Sequence, residues 1–127
     1  MKKILMFDST HAYLTFVKRK FKNEYKISSY EKTNESEMDI ASYDSVIFII
    51  NNETELVDLM YIYPKADSLL IWSEFKKINE QLSKLDKIFV LNLNQSKNRI
   101  AEQLRFWIDL PKPLKQEKTA MANRTYR

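Results

Sequence analysis

Ser45-Val46-Ile47-Phe48-Ile49-Ile50 is the most informative stretch of the chain. Five successive apolar residues, four of them β-branched, leave no polar face, the pattern of a strand covered on both sides within a parallel sheet. The run is far too short to cross a bilayer, and Asn51-Asn52 closes it. Upstream, Lys3 to Phe7 reads as a short buried strand ending in the polar cluster Asp8-Ser9-Thr10-His11, and Tyr25 to Tyr30 as a second strand. Downstream, Ser68 to Trp72 and Lys87 to Leu93 read as a fourth and a fifth.

Helical periods separate these strands. Leu14, Val17 and Phe21 fall on one face at spacings of three and four. Asn34 with Glu37 forms a capping pair for a short helix over Glu35 to Ala41, and Asn52 with Glu55 forms another. The second pair opens a stripe of Leu56, Leu59, Met60 and Tyr63 that Pro64 stops. Ser73 begins a helix with Phe75, Ile78, Leu82 and Leu85 facing inward. Ser96 caps a last one carrying Ile100, Leu104, Trp107 and Ile108, and Pro111 and Pro113 end the pattern.

Strands alternating with helices imply crossovers that lay each helix on a sheet face. The expected fold is α/β: a single three-layer α/β/α sandwich over residues 1–110, with a five-stranded parallel sheet in the order 2-1-3-4-5. Residues 111–127 form a basic C-terminal tail. Asn is frequent where turns are expected (Asn23, Asn34, Asn51, Asn52, Asn92, Asn94) and tolerates the left-handed conformation, so it is expected to stand in for glycine.

Composition narrows the chemistry. Hydrophobic residues make up 44% and charged residues 30% of the 127, the balance of a soluble globular domain. The Met-Lys-Lys start is followed by too short an apolar stretch for a signal peptide, which makes the cytoplasm the expected address and a membrane the wrong one. The absence of Cys rules out disulfides, thiolate catalysis and Cys-ligated metals. Gly is absent too, where ordinary usage would give about nine, which removes the Walker loop and the dinucleotide fingerprint. The net charge of +4 comes from the tail, where Lys112, Lys115, Lys118, Arg124 and Arg127 face only Glu117, leaving sixteen cations and sixteen acids in residues 1–111. Lys18-Arg19-Lys20 with Lys22 is a second, smaller concentration.

In an open parallel sheet, ligands bind outside the carboxyl ends of the strands where strand order reverses, here between strands one and three. Asp8, Ser9, Thr10 and His11 meet Asn51 and Asn52 there, with Ser73 and Asn92 after the fourth and near the end of the fifth strand. With these residues in place the chain resembles a response-regulator receiver domain over about residues 2–109. Lys3-Ile-Leu-Met-Phe-Asp8-Ser9 is similar to the receiver's first strand, with Asp8 in the first place of the acidic pair and Ser9 in the second. Tyr43 to Ile49 is similar to the third strand and puts Ile49 at the phosphoacceptor position, with Asn51 where the family holds magnesium through a backbone carbonyl. Leu69 to Ser73 matches the fourth strand, with Ser73 at the switch position, and Leu91-Asn92-Leu93 stands where Lys-Pro is usual.

Phosphoryl transfer to a receiver needs a carboxylate nucleophile, a metal held by carboxylates and a cation for the developing charge. Ile49 cannot be phosphorylated, and neither Ile50 nor Asn51 would supply an acid if the alignment slipped. The resemblance therefore implies a pseudo-receiver, not an enzyme, without metal or other cofactor. Asp8 reads as a cap for the helix that follows rather than as a relic ligand. The single His, His11, reads as structural or solvent-exposed rather than as a general base, since no Gly-x-Ser-x-Gly elbow exists. Ser73 reads as a helix cap or as the relic switch residue, and Trp72 as core.

Phe106-Trp107-Ile108 is bulkier than one buried stripe accommodates. Receivers pair through their last two helices, so the resemblance implies dimerisation through Phe106, Trp107 and Arg105, with Glu74, Lys76, Lys77 and Glu80 as rim charges. The expected function is a non-catalytic, receiver-like protein–protein interaction module of a signalling system, its partner another protein or a second copy in a homodimer. The alternative is a nucleic-acid-binding protein acting through Lys112, Lys115, Lys118, Arg124 and Arg127, aided by Lys18 to Lys22. A third reading puts a small neutral ligand in the Asp8–Asn51 crevice.

Overall fold

The computed structural model describes residues 1–30, 39–67, 69–92 and 94–111, with Asn92 described by its backbone. Five strands, β1 (Lys2–Phe7), β2 (Tyr25–Ser29), β3 (Ser45–Ile50), β4 (Leu69–Ser73) and β5 (Ile88–Asn92), form one sheet in the order β2-β1-β3-β4-β5. Every neighbouring pair is parallel. Among the described residues there are four α-helices: α1 (Ala12–Lys20), α2 (Leu56–Ile62), α3 (Lys76–Leu82) and α4 (Lys97–Asp109).

Alternation along each strand divides the interior in two. Ile4, Met6, Ile47, Ile49, Leu70 and Trp72 face α1 and α4, where Leu14, Val17, Phe21, Ile100, Leu104 and Ile108 meet them. Leu5, Phe7, Val46, Phe48, Leu69 and Ile71 face the other way, onto Leu59 and Ile62 of α2 and Leu82 of α3. All six residues of β3 and all five of β4 are buried, because these strands lie inside the sheet with helices on both sides. This is the flavodoxin-like three-layer α/β/α arrangement expected from the alternation.

Several local expectations change. The helix foreseen over Glu35 to Ala41, with its Asn34 cap, lies mostly outside the described residues, and its described end is a short 3-10 turn, Ile40–Ser42. Met60 is 75% exposed, because Leu59 and Ile62 take the inward face of α2 and Met60 sits a third of a turn away. β4 extends to Ser73, which pairs with Ile50 and Asn92. The third helix therefore begins at Lys76 rather than Ser73, and Leu85 lies beyond its end, 42% exposed.

Among the described residues Asn does not replace glycine in the left-handed region. Among the described residues only His11 (φ 60°) and Lys87 (φ 68°) have positive φ. Lys87 is held by its own ammonium, which donates to the carbonyls of Tyr63 (2.8 Å) and Ala66 (2.9 Å) just beyond α2. Its backbone carbonyl accepts from Leu69 N (2.8 Å), so one residue joins the end of α2 to the starts of β4 and β5. Asn51 and Asn52 act through their side chains instead. No helix among the described residues is long and apolar enough to cross a membrane.

Candidate functional site

The chain leaves β1 at Asp8, whose side chain turns inward and is only 6% exposed. Its Oδ2 accepts from the backbone amides of Tyr13 (2.9 Å) and Leu14 (3.0 Å), and its Oδ1 from Thr10 Oγ1 (3.1 Å) and Asn51 Nδ2 (2.8 Å). An ionised carboxylate offers about four acceptor positions, and four donors of this chain occupy them. Asp8 thus satisfies the first amides of α1 from three residues before the helix boundary, where His11 makes no side-chain cap bond. The capping role expected of Asp8 is what the geometry displays. The same carboxylate ties the β1 loop to the β3 loop.

Asn51 is the other half of that tie. Its amide reaches Ser9 Oγ at 3.3 Å as well as Asp8, and its Oδ1 accepts from Thr10 Oγ1 at 3.4 Å. Glu55 Oε1 accepts from the backbone amides of Asn51 (2.8 Å) and Asn52 (3.1 Å). The Asn52–Glu55 capping box foreseen from the sequence forms on the 3-10 turn Glu53–Glu55 that leads into α2.

Asp8, Ser9 and Asn51 therefore come together, and Ile49 and Ser73 of the foreseen pocket do not join them. Ile49 is fully buried in the α1–α4 core and pairs with Trp72 across β4. Ser73 is fully buried, its Oγ accepting from Phe75 N (2.9 Å) and its carbonyl from Asn79 Nδ2 (3.2 Å), so it holds the turn before α3 rather than capping the helix itself. Asn92 ends β5 opposite Ser73. Beside the site, Tyr13 sets its edge against Trp72, with ring centres 5.9 Å apart. Burial first, then the nearby charges of Glu74 and Asp8, push the Tyr13 phenol up from its ordinary value. His11 is exposed. Among the described residues no three His, Cys, Asp or Glu side chains converge as a metal site.

Next to Asp8, on the α2 side of the sheet, a cavity of about 250 Å³ is lined by Phe7, Tyr30, Phe48, Ser9, Glu55 and Asp58 among others. Phe7 stacks on Tyr30 at 4.1 Å and on Phe48 at 5.1 Å. The crevice foreseen for a small ligand thus opens toward an aromatic floor with carboxylates around it.

The foreseen interaction surface is divided. Trp107 is buried and stacks on Phe89 at 4.8 Å, so it belongs to the core and not to the surface. Arg105 makes a two-pronged ion pair with Glu24 (Nε and Nη2 at 2.9 and 2.8 Å) and lies over the Phe21 ring. Its hydrogen bond holds the Glu24 carboxyl below its ordinary value and its own guanidinium above. Phe106 is the surplus residue, 54% exposed on the outer side of α4. A second apolar surface escaped the reading: a groove of about 370 Å³ between α2 and α3, lined by Leu56, Met60, Tyr63, Ile78 and Leu85 among others. Its sequence signal was present in Leu56-Val57 and Met60-Tyr61, more apolar surface than a seven-residue helix can turn inward.

The tail cations Lys112, Lys115, Lys118, Arg124 and Arg127 lie outside the described residues. Comparison of the chain with protein-family models, with curated proteins and with solved structures gives no match.

Proposed function

We propose that this chain is a non-catalytic, receiver-like interaction module of a regulatory system. The observation that carries the reading is the state of the switch-point site: Asp8 is consumed by four hydrogen bonds to its own chain, and Ile49, which the resemblance puts at the acceptor position, lies deep in the core. A phosphoryl group finds neither a nucleophile nor a held cation there. A polar cluster of this kind stabilises the scaffold and leaves function to the surface.

The partner is a second copy of this chain, meeting the outer side of α4 at Phe106 beside the β5 edge. Glu74, Lys76 and Lys77 are exposed and Glu80 is half-buried, and charges of both signs suit a self-complementary two-fold contact. The test has two parts. Magnesium with beryllofluoride is expected to leave the melting temperature unchanged, and a magnesium-dependent rise would overturn the pseudo-receiver reading. Sedimentation velocity is expected to show a dimer that Phe106→Ser dissociates without loss of helical circular dichroism. A wild-type chain that stays monomeric at all concentrations would overturn the pairing.

A further inference from the structure

The folded body is neutral in sequence but not in space. The layer formed by α1, α4 and the turn after α1 carries seven cations (Lys18, Arg19, Lys20, Lys22, Lys97, Arg99, Arg105) against Glu24, Glu102 and Asp109. The opposite layer, residues 51–67 and 74–87, holds five cations against seven acids. The acids of the first layer are spent: Glu24 on Arg105, Glu102 on Arg99 at 3.7 Å, and Asp109 on Lys2 at 3.9 Å and the Tyr25 hydroxyl. Lys18, Arg19, Lys20 and Lys22 are all exposed and form no ion pair among the described residues.

These four sit at the end of the sandwich from which the tail departs. Arg105 of α4 reaches Glu24 and the Phe21 ring beside them, Asp109 reaches Tyr25, and Lys2 Nζ donates to Ile108 O at 2.9 Å. The chain passes Leu110 and Pro111 there and continues into Lys112, Lys115 and Lys118.

We propose that this end, centred on Lys18, Arg19, Lys20 and Lys22, binds the phosphate backbone of duplex DNA. A polyanion is the partner that an unpaired cluster of cations attracts through counterion release. The only ring within the cluster is Phe21, which is fully buried, so unpaired bases have nothing there to stack on and a duplex offering phosphates alone fits better than a single strand. Recognition of this kind reads charge and not sequence.

The test is fluorescence anisotropy of a labelled duplex titrated with the full chain between about 50 and 200 mM salt. The triple variant Lys18→Gln/Arg19→Gln/Lys22→Gln is expected to lower the log–log salt slope by about 2–3 and affinity at low salt at least about tenfold. The charge-matched variant Lys76→Gln/Lys77→Gln/Lys97→Gln, at the opposite end of the fold where α3 and α4 begin, is expected to bind within about twofold of wild type. Equal losses in the two triples would reduce the effect to net charge and overturn the proposal. So would tighter binding of a single strand, or retention on phosphatidylserine vesicles with no salt-dependent signal from the duplex.

Discussion

Replacing Asp8 by Ala tests whether the switch-point carboxylate is a structural clamp. The change removes Oδ2, the one acceptor shared by the Tyr13 and Leu14 amides, and the bond to Leu14 is buried. Hydrogen bonds to a charged group contribute about 1.5–3 kcal/mol each, less where water can replace the partner. Asn51 and Thr10 are near solvent and recover part of their loss, whereas the Leu14 amide does not. The expected destabilisation is about 3 kcal/mol, the upper part of the range for lost helix caps combined with an orphaned donor. For a domain of this size that is a fall of roughly 10 °C in melting temperature. Urea denaturation followed by circular dichroism measures it, and a double-mutant cycle with Asn51→Ala should return a coupling of about 1 kcal/mol. A loss below about 1 kcal/mol, or a gain in stability such as relief of an acidic metal pocket would give, refutes the clamp.

Three further outcomes follow from the same geometry. Ile49→Asp, which puts an acid at the position the receiver-like reading treats as the acceptor, is expected to cost 4 kcal/mol or more (about the upper end for a buried unpaired charge) and to give no magnesium-dependent stabilisation in a thermal melt. Arg105→Gln is expected to lower the urea midpoint slightly at neutral pH; because the folded Glu24 carboxyl titrates below its unfolded value, the difference from wild type is present above the unfolded value and disappears as pH falls through the folded one. Tyr25 is pushed up by burial first and then by its hydrogen bond to Asp109, so its contribution is complete below the unfolded phenol value of about 10 and is lost as pH rises above it. Tyr25→Phe should therefore cost about 1 kcal/mol at neutral pH, and should remove the latest step from a phenolate absorbance titration.

The sheet was legible because burial on both faces writes itself as unbroken apolar runs, and Val46 to Ile50 and Leu69 to Trp72 carry that signal without competition. Helix caps were legible where one short side chain meets an amide three residues on, as at Ser96, whose Oγ accepts from Arg99 N at 3.2 Å. Asp8 as a cap was legible, but its second partner Asn51, 43 residues away, was not, because that bond exists only once β1 and β3 are paired. Ser73 was misplaced by the same token: a serine before Phe75 looks like a helix start until the pairing with Ile50 and Asn92 draws it into β4. Phe106 and Trp107 could not be separated by composition, since the hundred-degree step between neighbours on a helix decides which is buried. The charge segregation was hidden because balanced totals say nothing about which face each charge occupies.

The left-handed backbone at His11 and Lys87 has a consequence for the denatured chain. Glycine would adopt those angles freely, whereas each of these residues costs roughly 1 kcal/mol in the native state. Against this, a chain with no glycine at all samples fewer conformations when unfolded, and each ordinary residue in place of a glycine lowers the entropy lost on folding by about 0.4–1 kcal/mol where its backbone angles are compatible. Ordinary usage would place about nine glycines in 127 residues. Among the described residues two positions carry that strain, set against an unfolded ensemble that the absence of glycine makes stiffer, a contribution to stability that resides in no contact of the folded protein.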